Sequence, residues 1–173
     1  YKIALGQIPR IGDISARKLV AFFGSVEALF REPASSMMKI PGIGETLARN
    51  ICDRSYLDSA KREAEFVSKY NIKTYFYLDA DYPYRLGQCE DSPVVFFYKG
   101  NADLDADKIL SIVGTRSATI RGREICDKIV STLAARHSNL LIVSGLAYGI
   151  DIAAHKSALK HGLPTVGVLG TGL

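Results

Sequence analysis

Little in this 173-residue sequence invites a metal or a disulfide framework. Cysteine is scarce, and Cys52, Cys89 and Cys126 are odd in number, far apart and without C-x-x-C spacing. That usage fits a reducing compartment, so a cytoplasmic location is expected and a metal site is not. No apolar run approaches the ~18 residues that a membrane span requires, so no membrane partner is expected. The start, Tyr1-Lys2-Ile3-Ala4-Leu5, has neither an initiating Met nor a basic leader with a cleavage site, and reads as a trimmed terminus. Nucleotide signatures are missing as well. Neither G-x-G-x-x-G nor G-x-x-x-x-G-K-[ST] occurs, which leaves a dinucleotide or magnesium–nucleotide cofactor without support.

Charge is present but uneven. The formal net charge is +4. Residues 1–70 hold 11 basic and 8 acidic side chains, residues 71–107 hold 3 and 7, and residues 108–173 hold 8 and 3. Basic outer thirds around an acidic middle fit a polyanion met at both ends, or the scatter of an ordinary solvated surface. Apolar residues make up 47% of the chain, enough for one medium core or two small ones.

Three apolar runs, each followed by a glycine-marked loop, organise the C-terminal part. Ile109 to Val113 leads into Gly114-Thr115-Arg116-Ser117, Leu140 to Val143 into Ser144-Gly145-Leu146-Ala147-Tyr148-Gly149, and Pro164 to Leu169 into Gly170-Thr171-Gly172. Short, β-branched, nearly unbroken runs read as strands of a parallel sheet. Helical periodicity fills the gaps, with Ile125, Ile129 and Leu133 as one apolar face and Ala154, Ala158 and Leu159 as the other. The fold class expected is α/β, a doubly wound parallel sheet over residues 108–173. The sequence stops just after the third loop, so the first half of that domain is expected here.

The loops then lie at the carboxyl ends of the strands, where such sheets bind ligands. Backbone N–H groups of Gly114, Thr115, Ser117, Gly145, Gly149, Gly170, Thr171 and Gly172, with the hydroxyl of Ser144, are candidates for a phosphate-binding rim. Arg116 adds a forked, permanently charged donor suited to phosphate. Thr119 is placed to cap the helix that follows. Asp151 and His155 stand four apart on one helix face, but no nucleophile lies beside them. Asp151 is therefore read as a helix cap and His155 as a packed residue, and no catalytic residue is assigned.

Residues 1–70 carry an imperfect repeat, Ile8-Pro9-Arg10-Ile11-Gly12 and Ile40-Pro41-Gly42-Ile43-Gly44. Each copy precedes a helical stretch, Ile14 to Phe23 and Glu45 to Cys52, the pattern of a helix-hairpin-helix pair in a small all-α domain. Gly12, Gly42 and Gly44 could present N–H groups to a DNA phosphate, or the pair could be a docking module that resembles a sterile alpha motif. A further helix carries Leu57, Ala60, Ala64 and Val67 on one face and ends at Asn71. Over residues 71–107, Thr74 to Leu78 and Pro93 to Tyr98 read as two aromatic strands expected to extend the edge of the later sheet.

Taken together, SIVGTR at 111–116, SGLAYGIDIAAH at 144–155 and VLGTGL at 168–173 resemble the DNA-processing protein A (DprA/Smf) family. Asp81-Tyr82-Pro83, the strand from Pro93 to Gly100 and the helical front end are similar to that family too. The resemblance implies an extended, mixed-edge Rossmann-like sheet without a redox cofactor. It implies a bacterial cytoplasmic protein that binds single-stranded DNA during natural transformation, protects it and loads RecA recombinase onto it. It also implies a homodimer formed through the Rossmann-like domain. The family's loop arginine, in its DNA pocket, corresponds to Arg116, whereas Tyr148 stands where many members have arginine and could stack on a base instead. An enzyme related to nucleotide phosphoribohydrolases is the alternative, but the PGGxGT-type motif it needs is absent up to Leu173. A protein docking module is the third reading.

Overall fold

The computed structural model describes residues 1–170 and divides the chain into two compact units, Tyr1–Lys99 and Gly100–Leu173. The first unit runs α1 (Lys2–Gln7), α2 (Asp13–Phe23), α3 (Val26–Leu29), α4 (Ala34–Met37), α5 (Glu45–Cys52), α6 (Ser55–Lys69), β1 (Lys73–Phe76), α7 (Tyr84–Gly87) and β2 (Val95–Tyr98). The sequence repeat is also a backbone repeat. Arg10 and Gly42, at its matching third place, take positive φ of 64° and 88°. Ile11 N–H donates to Ile8 O at 3.3 Å, and Ile43 N–H to Ile40 O at 3.0 Å. Gly12 and Gly44 then stand in extended backbone before α2 and α5. Only glycine takes the left-handed turn freely, so the first copy bears about 1 kcal/mol of strain at Arg10.

The turns bring their helices around one core, in which Leu5, Leu19, Leu29, Met37 and Ile51 are fully buried. Burying each such side chain contributes about 1.5–3 kcal/mol, which far exceeds the turn strain. On α6, Ala60 and Val67 are buried, and Asn71 at φ 52° follows the helix end.

Strands β1 and β2 pair antiparallel, Lys73 opposite Tyr98 and Phe76 opposite Val95. They form a sheet of their own and do not extend the parallel sheet as the sequence led us to expect. The reason lies in where their apolar side chains go. Phe76 and Val94 are buried in the helical core, and Val95 packs beside it. Polar bonds fix the same junction. The Asp13 carboxylate accepts from Val94 N–H at 2.7 Å, and Arg17 donates to the carbonyl and hydroxyl of Ser92 at 3.1 and 2.7 Å. The Arg17 guanidinium also lies 4.3 Å from the Tyr77 ring centroid. The aromatic residues are thus largely structural, with Tyr75 stacked on Phe96 at 4.8 Å.

The second unit runs β3 (Ile109–Ser111), α8 (Ile120–Ala134), β4 (Leu141–Ser144), α9 (Ile150–Lys160) and β5 (Thr165–Gly167). Its strands are parallel in the order β3-β4-β5, the Rossmann-like arrangement expected. Sequential order with right-handed crossovers sets both helices on one face. Leu110, Ile112 and Ile142 meet α8 and α9 there, through Cys126, Val130, Ala154 and Ala158. Sequence periodicity chose the neighbouring stripe of α8: Ile125 and Ile129 are 49% and 47% exposed. Leu159, placed on the buried face of α9, is exposed as well. Among the described residues no helix is long and apolar enough to cross a membrane, and no cluster of His, Cys, Asp or Glu is arranged to hold a metal.

Candidate nucleic-acid interface

Parallel strands carry their three following loops to one end of the sheet, so Gly114 to Ala118, Gly145 to Gly149, and Val168 to Gly170 share that end. Thr171 and Gly172, also expected at this rim, lie outside the described residues. The first two loops interlock. Gly149 adopts φ 89°, and a Cβ there would lie 2.0 Å from the Thr115 carbonyl oxygen and 2.6 Å from that of Arg116. Ile150 N–H donates to that Thr115 oxygen at 3.1 Å. A Cβ on Gly114 would meet Ile150 at 2.7 Å, and one on Gly145 the Asp151 carboxylate at 2.8 Å. The space these three glycines leave is therefore filled by the protein itself. Sequence reasoning had reserved it for an approaching phosphate.

Several polar groups of the expected rim also bond inward. Asp151, buried in the first turn of α9, accepts from Gly114 N–H at 3.3 Å. It thus ties one loop to the other, where a local helix cap was expected. Ser144 is buried, and its hydroxyl donates to Ile112 O at 2.6 Å, which commits that proton to joining β3 and β4. Ser117 N–H donates to Thr115 Oγ1 at 3.2 Å. The Thr119 hydroxyl caps α8 as expected, accepting from Gly122 N–H at 3.1 Å.

His155 is settled by its neighbours. The Thr165 hydroxyl gives its single proton to Ile142 O at 2.9 Å, so at 2.7 Å it must accept from His155 Nδ1–H. Burial holds the imidazole below its ordinary value, with the Asp151 charge pulling the other way. The imidazole is thus a packed, hydrogen-bonded group, as the sequence suggested.

What faces outward is different in kind. Arg116 and Tyr148 are exposed, Tyr148 to 85%, and both line a cavity of about 490 Å³ between α8 and α9. Arg123, Lys156 and Lys160 line it too, and sequence reasoning named none of them. The available signal was helical spacing: Tyr148, Ile152, Lys156 and Lys160 recur every four residues along one face. Gly12, Gly42 and Gly44 lie in the other unit, exposed, with open space where a side chain would stand. The two hairpins differ in surroundings. The helix after the first is engaged by residues 92–94 through Asp13 and Arg17, whereas the helix after the second carries an exposed Glu45–Arg49 pair near its start.

Comparison with known proteins divides the sequence at another place, with β1 and β2 joined to the parallel-sheet part. The family model described as DNA recombination-mediator protein A matches residues 73–173, and a helix-hairpin-helix motif matches residues 2–63. The chain belongs to the DNA recombination-mediator protein A family. The DNA processing protein DprA of Streptococcus pneumoniae is 40% identical over 117 residues, covering 68% of this chain and 39% of that protein. Protein Smf of Synechocystis sp. is 31% identical over 181 residues, covering 100% of this chain and 44% of Smf. The X-ray structure of DNA processing protein A (DprA) from Streptococcus pneumoniae superposes with a TM-score of 0.70 at 30% identity. That match covers 99% of this chain and 56% of the other. The chain therefore spans less than half the length of these two curated relatives. The recognised parts of this chain are the helix-hairpin-helix pair and the stretch from residue 73 onward.

Proposed function

We propose that this chain binds single-stranded DNA as a non-enzymatic recombination mediator. It acts in the cytoplasm during natural transformation, shielding the incoming strand and delivering it to RecA recombinase. A homodimer formed through the Rossmann-like unit is part of the same proposal. The observation that carries it is the exposed pair of Arg116 and Tyr148 at the carboxyl end of the parallel sheet. A guanidinium holds backbone phosphate through charge-assisted bonds, and an exposed phenol ring offers an unstacked base a face to lie on. Neither contact reads sequence, as suits a strand of arbitrary origin. The polar groups behind the rim favour binding over chemistry. Asp151, Ser144 and His155 are bonded into the scaffold.

The test is fluorescence anisotropy of a labelled oligo-dT, titrated at two salt concentrations beside a duplex control. Tighter binding of the single strand, weakening as salt rises, is the expected result. Arg116→Ala should weaken it by about 1–3 kcal/mol for every sequence alike. Full affinity in that variant removes the first loop from the site. Preference for duplex moves the site to the helix-hairpin-helix pair.

A further inference from the structure

The cavity that Arg116 and Tyr148 open onto continues between α8 and α9, and its walls are charged with one sign in excess. Arg116, Arg123, Lys156 and Lys160 oppose a single carboxylate, Asp127. That carboxylate is spoken for. Ser157 Oγ donates to it at 2.7 Å and Lys160 Nζ at 2.9 Å, which joins the two helices. Lys160 is largely neutralised by that bond, so the excess rests on Arg116, Arg123 and Lys156. Arg123 donates one N–H to Ala118 O at 3.1 Å, which steadies the guanidinium and leaves its other donors free. The side chains of Lys156 and Arg116 are exposed and make no hydrogen bond or ion pair among the described residues.

A second observation points the same way. The first turns of α8 carry Arg121 and Arg123 and no acid in the first turn, although a helix start is the positive end of its dipole. Arg121 and Arg123 stand two apart and point to different sides, and of the two Arg123 lines the groove, where a bound anion would also meet the positive end of the helix dipole. The groove's α9 wall runs from Ile152 to Lys160, eight residues or about 12 Å at about 1.5 Å per residue. That spans about three nucleotides at the ~3.4 Å spacing of a stacked strand.

We infer that the groove between α8 and α9 is a second phosphate-binding track, which carries the backbone of a single strand away from Arg116 across Arg123 and Lys156. The inference rests on the single-strand reading of the Arg116 loop and extends it to residues that reading does not need. Tyr148 takes a base at the entrance, and Asp127 keeps the two walls at fixed spacing.

The experiment compares the 173-residue chain with Arg116→Ala, with the double variant Arg123→Gln/Lys156→Gln, and with Lys156→Glu alone. Labelled oligo-dT of 20 nucleotides is titrated over a series of salt concentrations, and thermal melting confirms that each variant is folded. Lys156→Glu touches no partner, so it keeps the test decisive if the double variant unfolds. The double variant should lose about tenfold in affinity, and its slope of log K against log salt should flatten by about 1.4, as about 0.7 per lost phosphate requires. Lys156→Glu should weaken binding by a similar factor. Parent-like affinity and slope in both groove variants, with Arg116→Ala still impaired, overturns the track and leaves the loop reading standing. Parent-like binding in all three variants, or none by the parent, overturns both. Competition by thymidine monophosphate as effective as by the oligonucleotide makes the groove a small-nucleotide pocket, and the strand track is then wrong.

Discussion

Gly149→Ala tests whether the loops are held by packing on each other. The residue has φ 89° and ψ −122°, a region of backbone space open almost to glycine alone. Holding alanine there costs about 1–3 kcal/mol. The added Cβ would also fall 2.0 Å from the Thr115 carbonyl oxygen, a backbone atom with no rotamer to escape into. Overpacking of that kind costs about 1–3 kcal/mol more, so the total is about 2–6 kcal/mol. For a unit of this size each kcal/mol lowers the melting temperature by about 4–8 °C, so a fall of at least about 8 °C is expected. Thermal melting measures the fall, and amide exchange in β4 and α9 assigns it to the second unit. The control is Gly162→Ala, where φ is 71° but nothing lies within 4 Å of the added carbon. It should cost only the conformational term, about 1 kcal/mol. Because the clash displaces the carbonyls of Thr115 and Arg116, Gly149→Ala should also weaken oligo-dT binding as Arg116→Ala does. Equal melting of the two glycine variants would refute the interlocked-loop account.

Two further expectations follow from titrating groups in the same unit. The bonds from Ser157 and then Lys160 lower the Asp127 carboxyl from 3.8 to about 2. A folded value below the unfolded one means its contribution is complete above about pH 4 and lost as pH falls through about 2. The melting-temperature gap between parent and Asp127→Asn should therefore close across that window, and a constant gap would contradict the assignment. Burial, and then the Asp127 charge, push the Cys126 thiol above its ordinary value, whereas Cys52 and Cys89 are exposed. A thiol reagent at mildly alkaline pH should label two cysteines at once and the third only on unfolding, and three fast thiols would place Cys126 at the surface.

Local chemistry was the legible part. The bounds Glu45–Cys52 and the cap at Thr119 follow from a glycine before a helix and a hydroxyl three residues before an N–H. The repeat of 8–12 in 40–44 is likewise visible because a Pro and a Gly at fixed spacing dictate the same turn twice. Parallel strands were legible because nearly unbroken β-branched runs have few other stable settings.

Choices between two acceptable partners were not legible. Helix α8 has adjacent apolar stripes, and periodicity found Ile125 and Ile129 while the sheet took Cys126 and Val130. Strands β1 and β2 suit any sheet edge, and the open place beside Phe76 and Val94 in the helical core decided the matter. Glycines 114, 145 and 149 announce close approach in the sequence, but only the fold shows that the approaching group is the neighbouring loop. The basic groove is of the same kind. Lys156 lies 33 residues after Arg123, and the two line one cavity with Arg116 because α8 and α9 lie side by side on one face of the sheet. Sequence alone sets backbone preferences within a few residues, whereas long-range packing, which depends on shape and on what else fills the space, sets the rest.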